Sequence, residues 1–108
     1  MKEVGVVFID NKIKKAYDKL KIENPDLHRF IDRATDDLKL NPFCGIPIQK
    51  KLIPKIYIKK YNIDNLWKYD LPGGWRLIYA VVGSEIKIIS AVIEWFNHKN
   101  YERRFGYK

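Results

Sequence analysis

The apolar residues of this chain change their spacing in a way that divides it into elements. Val4 to Ile9 is a short, β-branched apolar run, the pattern of a strand covered on both faces. Ile13, Ala16, Tyr17 and Leu20 then follow at helical spacing, with Asp10 placed to cap the helix. Asn24-Pro25 is a second start signal, a capping residue followed by proline in the first helical position. Leu27, Phe30, Ile31, Ala34 and Leu38 repeat the spacing until Asn41-Pro42 ends it. The gap between the two helices is so short that they must form an antiparallel hairpin.

Residues 41–64 read as irregular, because Pro42, Pro47 and Pro54 forbid long regular elements. Pro54 can open one short helix reaching Tyr61, and the isoleucines of this segment point to packing on the body of the domain. A connection of this length is unusual and often functional.

The last third predicts a three-stranded antiparallel meander. Its first strand spans Asn65 to Asp70, Pro72-Gly73-Gly74 supplies the positive-φ residues of a hairpin, and Trp75 to Val82 forms the middle strand. Gly83-Ser84 suits a tight turn into a strand from Ile86 to Trp95. Alternation places Trp75, Leu77, Tyr79 and Val81 on one face of the middle strand, and Arg76, Ile78, Ala80 and Val82 on the other. With Pro72-Gly73-Gly74 as the loop, Asp70 faces Arg76 and Lys68 faces Ile78, so Lys68, Asp70 and Arg76 share a face. One face of the meander packs on the helical hairpin, and the other is expected to be open and cationic. The fold class is therefore α+β: an N-terminal strand and helical hairpin on a small antiparallel sheet, one domain over residues 1–108.

Charge sharpens this picture. The formal net charge is +8. Residues 1–37 hold eight acidic and eight basic side chains, whereas residues 38–108 hold thirteen basic and five acidic ones. A neutral half joined to a strongly basic half suggests a polyanion or an acidic protein as partner for the second. The single Cys44 cannot form an internal bridge; it reads as a small, partly buried residue beside Phe43, and fits a reducing compartment, most simply the cytoplasm. Charged residues interrupt the N-terminus, so no signal peptide is expected, and no apolar run is long enough to span a bilayer.

Histidine, cysteine and acidic residues show no metal-ligand spacing, and neither a phosphate-binding glycine loop before a helix nor a serine-hydrolase signature is present. What remains is Lys68, Arg76, His98, Tyr101, Arg103 and Arg104. Arg76 stands out, because a permanent charge inside an apolar strand needs a carboxylate or a phosphate to hold. This set suits metal-free cleavage of an RNA phosphodiester by its own 2′-hydroxyl. A guanidinium steadies the phosphorane, and a histidine or lysine moves the protons. Tyr101, Trp95 and Phe96 offer stacking surfaces for splayed bases, and Lys59, Lys60, Arg103 and Arg104 offer attraction for RNA. Plainer roles exist for the same residues. Arg76 can pair with Asp70, Lys68 can be a solvated strand lysine, and His98 and His28 can be surface histidines. Tyr101, Phe105 and Tyr107 can seal the tail.

Asn65-Leu66-Trp67-Lys68-Tyr69-Asp70-Leu71-Pro72-Gly73-Gly74-Trp75-Arg76-Leu77-Ile78-Tyr79 resembles the RelE/ParE superfamily of toxins. The shared pattern is a basic strand, a glycine turn, an aromatic-Arg pair, two aliphatics and a tyrosine. His98-Lys99-Asn100-Tyr101 is similar to the family's C-terminal basic residue and aromatic. The resemblance covers most of the chain. It implies an α+β fold and a metal-independent endoribonuclease that needs no cofactor and cuts mRNA on the ribosome. It also implies inhibition by a cognate acidic antitoxin, with which a heterotetramer is one arrangement. Arg76 matches the family's phosphate-binding arginine and Lys68 a basic residue on the preceding strand. His98 or Tyr101 falls where the family places its C-terminal acid or stacking group. Leu66 departs from the pattern, standing where some family nucleases carry a second basic residue; Lys68, Asp70 and a tail residue all stay open as the general base. The family's other branch shares the fold and inhibits a protein target, DNA gyrase, without a nuclease site. A toxin that only binds RNA or antitoxin is a third reading.

Overall fold

The helical hairpin is built by its caps. The computed structural model describes residues 3–83 and 87–106. It runs β1 (Glu3–Phe8), α1 (Asn11–Glu23), α2 (Pro25–Leu40), β2 (Ile46–Pro47), α3 (Lys55–Tyr61), β3 (Trp67–Asp70), β4 (Arg76–Gly83), β5 (Lys87–Phe96) and α4 (His98–Phe105). Asp10 accepts the Ile13 N–H at 2.9 Å, as its place before the first helical turn predicts. Asn24 donates its N–H to the Leu20 carbonyl at 2.8 Å and accepts the Leu27 N–H at 3.2 Å. One residue thus closes α1 and opens α2, which folds the two helices back on each other.

The sheet has the order β1-β5-β4-β3-β2. The predicted meander β3-β4-β5 is its centre, antiparallel throughout. The sheet as a whole is mixed rather than antiparallel, because β1 pairs parallel with β5 along one edge. β2 adds a short antiparallel edge on the other side. β1 is consequently not covered on both faces. It is an edge strand with Val7 exposed, and a β-branched run does not reveal which of its faces is bare.

The loop between β3 and β4 has the expected form. Gly73 and Gly74 both have positive φ, of 76° and 81°, a region open to glycine at little strain. The Leu71 N–H closes the loop on the Trp75 carbonyl at 2.8 Å. Asp70 stands opposite Arg76, and Lys68 opposite Ile78. The tight turn expected at Gly83-Ser84, like the place of Tyr107, lies outside the described residues.

Two cores sandwich the sheet. On one face, Leu27, Ile31, Ala34 and Leu38 of α2 pack against Leu71, Leu77, Tyr79 and Val92. Each large side chain buried there contributes about 1.5–3 kcal/mol. The opposite face was expected to be open, but it carries a second core. Ile53, Tyr57, Tyr101 and Phe105 cover Ile78, Ala80 and Ile93. The covering elements are α3, which follows Pro54 as predicted, and α4, formed by a segment that reads as a tail. Two small corrections follow from packing. Cys44 is exposed rather than partly buried. His28 is no plain surface histidine, since its ring stacks on Tyr17 with centroids 4.4 Å apart.

Candidate functional site

Where the second core ends, at the start of β4, it leaves a cationic rim. Arg76 faces away from α1 and α2, and its side chain retains 17% exposure. Its Nε lies 2.9 Å from Asp70 Oδ1, and Lys68 Nζ lies 3.3 Å from the same oxygen. Beneath both cations is the ring of Tyr101. The Lys68 ammonium is 5.5 Å and the Arg76 guanidinium 5.8 Å from its centroid. Such contacts contribute about 0.5–2 kcal/mol each, the more so where water is excluded.

Tyr101 and His98 reach the site because of how α4 is laid down. Asn97 accepts the Asn100 N–H at 2.8 Å, and Gly106 ends the helix with a positive φ of 76°. Tyr101 and Phe105, one turn apart, face inward and are buried. His98 stands beside them at the first turn and is 61% exposed. Its Nδ1 is 3.3 Å from Arg76 Nη2, and its Nε2 is 2.6 Å from Glu102 Oε1. A guanidinium only donates, so Nδ1 must present a lone pair. The ring proton then belongs on Nε2, shared with the Glu102 carboxylate.

The quartet Lys68, Arg76, His98 and Tyr101 is therefore brought together, with Asp70 and Glu102 as anionic partners. Tyr101 serves there as a buried floor under the cations, not as an exposed stacking surface. The outer residues divide. Lys59 and Lys60 are exposed on the last turn of α3, and Arg103 and Arg104 on the last turn of α4. Both helices lie on the same side of the sheet as Arg76. Trp95 does not join them: it stands opposite Leu77 and packs with the α2 core on the other face. A base held at Arg76 cannot reach it.

Sequence reasoning missed two carboxylates. Glu102 carries a local signal, since it follows His98 by four residues on a helix. Glu94 carries none. The register shifts between Ile78 and Tyr79, so that β5 has one extra residue, Ile93, opposite the shift. Ile93 and Glu94 both then serve the second face, where Glu94 accepts the Tyr57 hydroxyl proton. Burial and that carboxylate together push the Tyr57 phenol well above its usual range. Arg104 lies over the Tyr57 ring at 5.7 Å and over Phe96 at 5.4 Å.

Among the described residues no group of histidine, cysteine and acidic side chains comes together that could hold a metal ion, and no helix is long and apolar enough to cross a membrane. Compared with protein-family models, curated proteins and solved structures, the chain matches none.

Proposed function

We propose that this chain is a RelE-like toxin of a toxin–antitoxin pair, an endoribonuclease that cuts mRNA on the ribosome, in the cytoplasm, without a metal. The observation that carries this reading is the pair Lys68 and Arg76, both resting on Tyr101 and sharing one carboxylate, with an imidazole 3.3 Å from the guanidinium. In support stand the basic second half of the chain and the motif from Asn65 to Tyr79.

The residues divide the chemistry among them. An arriving phosphate takes the N–H groups of Arg76, matching the planar fork of the guanidinium. That contact releases His98 Nδ1, whose lone pair accepts the 2′-hydroxyl proton. The resulting imidazolium is held by Glu102, which already receives Nε2–H. The 2′-oxygen attacks phosphorus, and Arg76 and Lys68 stabilise the charge that accumulates there. The bond from phosphorus to the 5′-oxygen breaks, and Lys68 supplies the proton this oxygen needs. The products are a 2′,3′-cyclic phosphate and a 5′-hydroxyl. The surplus positive charge of Lys59, Lys60, Arg103 and Arg104 attracts the strand, and the same basic surface suits an acidic antitoxin, in a heterotetramer or a simpler complex.

Induction in cells, followed by mapping of RNA 5′ ends, tests the reading. The wild type should give breaks phased to codons, ending in 5′-hydroxyls, and Arg76→Ala should abolish them and the growth arrest while the protein stays folded. A fully toxic Arg76→Ala variant refutes the site. Intact message accompanied by DNA damage assigns the chain instead to the gyrase-inhibiting branch. Intact message in growing cells leaves a chain that only binds RNA or antitoxin.

A further inference from the structure

Beyond the cleavage site, α4 presents a second flank with its own chemistry. At 100° per residue, His98 and Glu102 project toward Arg76, and Tyr101 and Phe105 project inward. Asn100 and Arg104 fall on the far side. There, Phe96, Asn100, Arg103 and Arg104 line a cavity of about 360 Å³. That is within the roughly 300–1,000 Å³ of small-ligand sites. Among the described residues neither Arg103 nor Arg104 has an ion-pair partner, in contrast to Arg76.

Arg104 is held by aromatic neighbours. Its guanidinium lies on the rings of Tyr57 and Phe96, and its Nη1 is 3.5 Å from the Tyr57 hydroxyl, which in turn donates to Glu94. The residue is exposed, so part of the guanidinium remains open to solvent. A guanidinium anchored on aromatic rings and partly open to solvent offers a planar cationic surface on which a nucleobase can stack. A purine fits best: it offers the larger ring system to the platform, and its N7 edge pairs with an amide such as Asn100 or a guanidinium such as Arg103.

We infer that the cavity between Phe96 and α4 binds a purine nucleotide of the RNA strand, its base stacked on Arg104 and its edge read by Asn100. This rests on the reading that the substrate is RNA. The strand reaches it by crossing the first turn of α4, a helix roughly 10–12 Å across with its side chains. The subsite then makes cleavage selective for purines near the cut rather than for any strand.

Binding to short fluorescent 2′-O-methyl oligomers of A or of U tests this, because the blocked 2′-oxygen prevents cutting. The wild type should bind the A oligomer about tenfold more tightly than the U oligomer. Arg104→Lys keeps the charge and loses the plane, and it should bring the A oligomer to within twofold of the U oligomer. Its circular dichroism should match the wild type, and Lys21→Ala on α1 should leave the preference unchanged. Equal wild-type affinities, a purine preference that survives Arg104→Lys, or no binding at all overturns the inference. Arg76→Ala should weaken both oligomers alike. If it changes neither while the preference still depends on Arg104, the phosphate role of Arg76 fails and the purine subsite stands.

Discussion

Asp70 is the residue whose replacement tells most about the site. Among the described residues it is the one carboxylate shared by Lys68 and Arg76, at 3.3 Å and 2.9 Å. Asp70→Asn keeps the shape and removes one negative charge beside the place proposed for the phosphate. A phosphate gripped by Arg76 lies about 6 Å from that carboxylate. At an effective dielectric of about 40, between surface and bulk water values, the repulsion relieved is about 1.4 kcal/mol, a factor of about ten in affinity. The carboxylate is 49% exposed, so solvent and salt reduce this figure, and the gain should shrink as ionic strength rises. The two cations are only 20% and 17% exposed, so loss of the charged partner should cost about 1–3 kcal/mol, less than the roughly 5–15 kcal/mol that holds a domain together, and the variant should remain folded.

Fluorescence anisotropy with an uncleavable oligomer, at low and at moderate salt, gives the measurement. Tighter binding, by severalfold to tenfold at low salt, supports a phosphate at Arg76. Unchanged or weaker binding at low salt refutes it, because there the repulsion between the carboxylate and a bound phosphate is least screened. Cleavage adds a second reading of the same variant. With His98 as the base, Asp70→Asn still cuts. Tight binding with no cleavage transfers the base role to Asp70.

Three further predictions concern the frame. The buried Tyr79 hydroxyl donates to the Pro42 carbonyl at 2.9 Å and accepts the Gly45 N–H at 3.1 Å, so Tyr79→Phe should cost about 2 kcal/mol, or about 10 °C in melting temperature. Gly45→Ala should destabilise even in that background, because an added Cβ would lie 2.6 Å from the Lys68 carbonyl as well as 2.5 Å from the Tyr79 hydroxyl. In alkali, Tyr69 is pushed up to about 12 by its bond to Asp37 and by burial, and Tyr79 to about 12 mainly by burial. A folded pKa above the unfolded value of about 10 adds stability that is complete below it and lost as pH rises toward about 12. The urea midpoint should therefore fall between about pH 9.5 and pH 11.5, and a flat profile refutes the upward shift of both phenols.

The parts of the fold legible in the sequence are those fixed within a few residues. Asp10 and Asn24 cap their helices through bonds to residues three positions on. Pro72-Gly73-Gly74 sets its loop through backbone freedom, and the loop sets the register that joins Asp70 to Arg76. Pairings across the chain were not legible. Nothing local says that β1 will lie parallel to β5, or that Ile46-Pro47 will find β3. The face of Trp95 depends on its register with Leu77, and the inward turn of Glu94 depends on one extra residue in β5. α4 is an intermediate case. Asn97, the Tyr101–Phe105 pair and Gly106 are ordinary helix signals, but a short basic segment after the last strand reads equally well as a tail.

The site also shows why an aromatic floor suits its chemistry. A half-buried cation can be held by matching carboxylates, which cancel the charge as they orient it. It can also rest on a ring, which orients it and leaves the charge intact. Here one carboxylate serves two cations, and the Tyr101 ring supplies the rest of the support. Lys68, Asp70 and Arg76 together keep one net positive charge, with the two cations largely covered and the carboxylate half open to solvent. The anchoring of Tyr101 beside Phe105 matters for the same reason. A floor fixed by the second core holds both cations in position, so little ordering would be left for the binding of the proposed phosphate. Packing on the face expected to be open is thus what positions the cations, and the exposed rim at His98 is where the proposed substrate would reach them.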